Sequence, residues 1–132
     1  MKVFVDTSAI FALLVKNDSM HSRASVSFDN LSQHKAQLYS SSFVLVETTA
    51  LLHKRIGLES VRDFNTKLLP LLEIIWTDKE WYSRAIQRFF LQSQRDFSLV
   101  DCLSFEIMES LDITLAFTFN GHFKEMGFSP VK

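Results

Sequence analysis

A chain of 132 residues, 47% apolar and 22% charged with three Gly and two Pro, has the length of one domain with a full core and contains no segment that reads as disordered. A formal net charge of −1 excludes a broad basic surface for nucleic acid, though not a local one in which a metal ion supplies the positive charge. The lone Cys102 excludes a disulfide framework and a Cys-based zinc site, and no apolar run approaches the length of a bilayer span. Asp6 interrupts the only apolar stretch near the N-terminus, which argues against a signal peptide and for a soluble, cytoplasmic protein without membrane contact. Thirteen Phe are many for this length; most are expected in the core and some at a subunit contact.

Short apolar runs alternate with helical patterns along the whole chain. KVFV (2–5) reads as a strand, and SAIFALLVKN (8–17) and SMHSRASVSFDNLSQHK (19–35) as helices. AQLYSS (36–41) is a second strand, followed by helices over 42–56 and 58–70 with Gly57 between them as the residue past a helix end. LEIIW (72–76) is a third strand. The helix over 77–94 is expected to open on a capping box, Thr77-x-x-Glu80. A helix over 98–111, a strand over 113–119, a helical turn over 121–127 and an edge strand over 128–131 complete the chain. No linker, repeat or low-complexity tract interrupts it. The alternation implies one α/β domain over 1–132, with a parallel sheet covered by helices on both faces. Ligands of such sheets gather at the carboxyl ends of the strands, where Asp6 stands.

Most acids have a local basic neighbour: Glu59 with Arg62, Asp63 with Lys67, Glu80 with Arg84. Three do not. Asp6 closes an apolar strand, Glu47 lies in the largely apolar FVLVETTALL, and Asp101 lies in FSLVDCLSF. Each has an ordinary reading: an Asx-turn for Asp6, a pair with Lys54 or Arg55 for Glu47, and the acid of a capping box opened by Ser98 for Asp101. Taken together at one sheet edge they suggest a hard divalent cation, which offsets both their burial and their mutual repulsion. Three Gly cannot build a phosphate loop, no G-x-S-x-G occurs, and the four His lack zinc-ligand spacing.

VDTSAIFALL, SSFVLVETTALL and FSLVDCLSFEIMESLDITLAFTFNGHFKEMGF resemble, in order and spacing, the PIN-domain ribonucleases, and among them the VapC toxins of toxin–antitoxin pairs. The resemblance implies a three-layer α/β/α sandwich whose acidic cluster binds Mg²⁺ or Mn²⁺ and hydrolyses RNA. It places Asp6, Glu47 and Asp101 at the first three acids, as metal ligands, and Thr7, Ser8 and Thr118 at the polar positions that support them. The fourth acid of a T-x-D-R-H-F pattern is Asn120 here, in TFNGHF, with Gly121 in place of Arg. The implied partners are an RNA substrate, a cognate antitoxin and a second copy of the chain. The alternatives are a catalytically weakened module that binds RNA or antitoxin, and a housekeeping RNA-processing nuclease. Asn120 itself has two readings, a turn former before Gly121 and a neutral amide at the rim of the cluster. On the second, Asn120→Asp is expected to tighten metal binding and raise cleavage.

Overall fold

Val3, Phe4 and Val5 are buried on both faces of the first strand, the reason its sequence runs continuously apolar where a half-exposed strand would alternate. The computed structural model describes residues 1–132. Its five strands are β1 (Lys2–Val5), β2 (Gln37–Ser41), β3 (Glu73–Ile75), β4 (Leu115–Phe117) and β5 (Ser129–Pro130). All four pairings are parallel, in the order β3-β2-β1-β4-β5. The chain moves from β1 outward through β2 to β3, then crosses back to place β4 on the other side of β1. The order therefore reverses at β1. A crevice opens outside the carboxyl ends of β1 and β4, because the connections leaving them go to opposite faces.

The helices are α1 (Thr7–Leu14), α2 (His21–Gln33), α3 (Ser42–Arg55), α4 (Leu58–Asp63), α5 (Lys79–Leu91), α6 (Leu99–Ser110) and α7 (His122–Glu125). Right-handed crossovers put α1 to α4 on one face and α5 to α7 on the other. The packing follows: α1 touches α2 and α3, α3 touches α4, α5 touches α6, and α6 touches α7. The core holds 25 buried apolar residues. Phe105 of α6 is central to its second face, with Phe97, Phe123 and Phe128 at ring-centroid distances of 5.2, 5.1 and 5.6 Å. No helix is long and apolar enough to cross a membrane.

Three local expectations need correction. The helix expected over 58–70 is α4, then a π-helical segment (Phe64–Leu68), then a 3-10 turn (Leu69–Leu71). Pro70 lacks an N–H and its ring would meet the carbonyl four residues back, so a regular helix cannot continue there. Gly57 does end α3, at φ +134°, a backbone that L side chains rarely adopt. The cap of α5 is Asp78, not Thr77: its carboxylate accepts the Trp81 N–H at 3.1 Å. The Thr77 hydroxyl instead lies 2.7 Å from that of Ser42, tying the end of β3 to α3.

The third correction is Arg84, which pairs not with Glu80 but across to α6, Nε to Glu106 Oε1 at 3.2 Å. Arg88 joins the same carboxylate through Nε, 2.6 Å from Oε2, and reaches Glu109 through Nη2. The Arg88 and Glu106 side chains are only 12% and 16% exposed, so removing either leaves a poorly solvated charge with only a more exposed partner, Arg84 for Glu106 or Glu109 for Arg88. Arg88→Ala is expected to cost about 3 kcal/mol, read as a fall in urea midpoint at constant slope. An apolar double replacement, Arg88→Met with Glu106→Leu, should recover most of it; recovery of none would mean that the pair is not what holds α5 to α6.

Candidate active site

Asp6 ends β1 and begins α1 in a single residue. Its backbone N–H continues the sheet, to Phe117 O at 3.0 Å, and its carbonyl accepts the first N–H groups of α1, from Ala9 and Ile10. Its carboxylate does not cap the helix, so the Asx-turn reading does not describe it. Instead Oδ2 accepts two hydroxyls, Ser8 at 2.9 Å and Thr118 at 3.0 Å. Ser8 also takes the Phe119 N–H at 2.9 Å, which locks the residues after β4 against the start of α1. Thr7 is buried beside it and accepts the Thr48 hydroxyl at 3.1 Å.

Asp101 closes the expected capping box and at the same time faces the cleft. It is the acid of a capping box, its N–H donating to Ser98 Oγ at 3.0 Å while Oδ2 accepts the Ser98 N–H at 3.1 Å. It also faces the residues after β4. His122 Nδ1 lies 2.8 Å from Oδ2, and Asn120 Nδ2 donates to Oδ1 at 3.3 Å. Asn120 does not form a tight hairpin turn; its Oδ1 accepts the His122 N–H at 3.0 Å at the start of α7, and Gly121 keeps an ordinary φ of −63°.

These side chains share one cleft of about 320 Å³ at the switch point, lined by Asp6, Thr7, Ser8, Glu47, Leu51, Asp96, Ser98, Asp101, Asn120 and His122. Thr118 stands behind it, bonded to Asp6. A larger depression of about 440 Å³ lies between Arg84, Arg88, Leu91 and Gln92, but its arginines are already engaged by Glu106 and Glu109. Burial pushes the Asp6 carboxyl above its ordinary range; the Ser8 and Thr118 hydroxyls oppose the shift and the charge of Asp101 adds to it. Glu47 is open to solvent at the rim, with no ion pair to Lys54 or Arg55. Its carboxyl is also raised, mainly by desolvation, against the Thr7 hydroxyl and with the charges of Asp6 and Asp101.

The donor set is therefore hard oxygen, negatively charged, and without a lysine or arginine among its lining residues. That chemistry suits Mg²⁺ or Mn²⁺, which need only one or two carboxylates and keep several waters. The acids do not close on one point: no three His, Cys, Asp or Glu side chains are grouped to hold an ion between them. Sequence reasoning missed His122 and Asp96 as cleft residues. His122 was open to detection as the His of the HF pair after Asn120; nothing local in the sequence marks Asp96.

Residues 3–129 match the family model of the PIN domain. Over 131 residues the chain is 28% identical to the 23S rRNA-specific endonuclease VapC20 of Mycobacterium tuberculosis, covering 98% of both. The crystal structure of that VapC20, described as a Sarcin-Ricin loop cleaving toxin, superposes with a TM-score of 0.84 over 96% of this chain and 95% of that one. FitAcB from Neisseria gonorrhoeae shares the fold at 14% identity and a TM-score of 0.71, covering 98% of this chain and 96% of that one. VapBC2 from Rickettsia felis, bound to a DNA fragment from their promoter, shares it at 20% identity and 0.67, covering 98% and 97%. A strand-end acid at the switch point, two further acids from α3 and α6, and a family match over nearly the whole length lead to one conclusion: the chain belongs to the PIN-domain family.

Proposed function

We propose that this chain is a metal-dependent endoribonuclease acting in the cytoplasm, the toxin of a toxin–antitoxin pair, with its nuclease site in one domain over 1–132. The observation that carries the reading is a cleft lined by Asp6, Glu47 and Asp101 with no lysine or arginine among its lining residues. Full-length likeness to VapC20 supports RNA as the substrate, and ribosomal RNA is the first class to test. Asp6 and Asp101 would hold Mg²⁺ or Mn²⁺, with Glu47 at the rim. When bound, the ion supplies a water of lowered pKa and neutralises charge on the scissile phosphate. The chain's own part is to place oxygens. Ser8 and Thr118 fix the Asp6 carboxylate, and the residues from Asn120 to His122 orient Asp101. The proposed macromolecular partner is a cognate antitoxin. Expression of the chain alone should arrest growth, and co-expression with the neighbouring small reading frame should restore it; harmless expression of a folded, soluble product would count against the toxin reading.

Asn120→Asp tests the position where the chain departs from the family pattern. With its amide 3.3 Å from Asp101, an added carboxylate there repels Asp101 when no metal is bound and attracts metal when it is present. The melting temperature in chelator should fall. The stabilisation by Mn²⁺ should grow, and cleavage at limiting metal should rise about tenfold, equivalent to ~1.4 kcal/mol. Unchanged metal response would show that position 120 does not act on the metal directly.

Assembly is the remaining part of the proposal. Phe43 of α3 meets Tyr82 of α5 edge to face at 6.4 Å, and Val46 of α3 is 68% exposed. Phe90 and Leu91 at the end of α5 are 67% and 86% exposed. Faces of this kind favour a homodimer, and light scattering at micromolar concentration should give twice the mass of the chain. A monomer at high micromolar concentration would remove this part alone.

A further inference from the structure

We infer that Asn120 and His122 are positioning residues that clamp the Asp101 carboxylate between two side-chain donors while no metal is bound; a carboxylate at position 120 would give up this clamp and act on the metal directly. The catalytic consequence rests on the nuclease reading above; the clamp rests on the geometry alone. The orientation of the Asn120 amide is fixed from behind. The His122 backbone N–H donates to Oδ1 at 3.0 Å, which turns Nδ2 toward Asp101 Oδ1 at 3.3 Å. A flipped amide would set N–H against N–H and oxygen against oxygen. An aspartate here would have no proton to offer.

The His122 ring is held in the same way. It stands edge to face on Phe97 at 5.2 Å, and Nδ1 lies 2.8 Å from Asp101 Oδ2. A bare Nδ1 would point a lone pair at the carboxylate, so the proton sits on Nδ1, whether or not Nε2 also carries one. With the Ser98 N–H on Oδ2, Asp101 accepts three donors on two oxygens, and rotation about its terminal bond is blocked. The two clamping residues also belong to a segment that grips Asp6, since Thr118 donates to Asp6 Oδ2 at 3.0 Å. Residues 118 to 122 thus hold the two buried acids of the cleft at a set separation against their own repulsion. The rim acid, Glu47, lies outside this hold.

Three variants at His122 separate a donor from a space-filling ring. Asn offers an N–H close to the place of Nδ1, Gln offers one close to the place of Nε2, and Ala offers neither. Mn²⁺ affinity by calorimetry should fall about tenfold in His122→Ala and His122→Gln, with kcat falling alongside and KM for RNA unchanged, and His122→Asn should restore both. Asn120→Ala should lower the affinity similarly. Equal behaviour of His122→Asn and His122→Gln would overturn the clamp in favour of packing against Phe97. In the metal-free wild type, nitrogen NMR of the ring should show Nδ1 protonated. A bare Nδ1 would overturn the clamp whether or not RNA is cut; a protonated Nδ1 in a protein that neither binds Mn²⁺ nor cuts RNA would leave the clamp standing and sink the nuclease reading.

Discussion

Asp6→Asn is expected to lower RNA cleavage by about a thousandfold, or ~4 kcal/mol of barrier, while raising the melting temperature of the metal-free protein. The two effects have one cause. Asp6 is 4% exposed, so its charge is poorly solvated, and it is repelled by Asp101. An amide keeps an oxygen for Ser8 and Thr118 and removes the charge, at a gain of about 4 °C for each kcal/mol relieved. The pH dependence has a definite sign. The folded-state pKa of Asp6 lies above the ordinary 3.8, so the ionised form costs stability at neutral pH. That cost shrinks as the pH falls through the raised value, and it is gone below 3.8. In chelator, the lead of the variant over wild type should therefore be widest near neutrality and close on acidification. Added Mn²⁺ should raise the wild type only. A variant that melts with the wild type at every pH, or that cleaves RNA as well, would remove Asp6 from the centre of the site.

Phe105→Ala should cost about 4 kcal/mol, a large share of the stability of a domain this size. Phe105 is fully buried and packs against three rings that come from three different segments, edge to face with Phe97 before α6 and Phe123 in α7, and stacked with Phe128 before β5. None of those segments has enough backbone pairing to hold its place alone; α7 has four residues and β5 two. The loss should appear first near the cleft, because α7 carries His122 and Phe97 supports its ring. Hydrogen exchange of residues 119 to 128 should accelerate before that of β1 and β2. Uniform exchange across the chain would show that the ring cluster is no separate unit.

The fold was legible because β1, β3 and β4 are short, mostly apolar runs set off by longer helical patterns, and tertiary packing does not alter that rhythm. Asp6 stood out for a related reason: it closes a buried strand with no basic residue nearby to pair with it. Asp101 was ambiguous in the sequence and is double in the structure, since one carboxylate can close a capping box through Oδ2 and still face the cleft. The contact of His122 with Asp101 was not legible, because 21 residues separate them and nothing local sets their approach. The π-helical break after α4 was hidden by a helical pattern running up to Pro70. The switch of Arg84 from Glu80 to Glu106 was invisible for a related reason: spacing along a helix shows which pair can form, and only packing shows which partner is less solvated.

The position of β4 between β1 and β5 has a consequence for how the molecule is made. A chain leaving the ribosome displays Asp6 early, but the hydroxyl of Thr118 that fixes its carboxylate is 112 residues later, and Asp101 meets His122 only after α7 has emerged. Contacts of that span form late in folding. Until they do, β1 lacks its neighbour on one side and the carboxylates have no fixed separation. A nascent chain still on the ribosome is thus unarmed, and the same wiring means that a proteolytic cut anywhere between α1 and β4 separates residues that the cleft needs together.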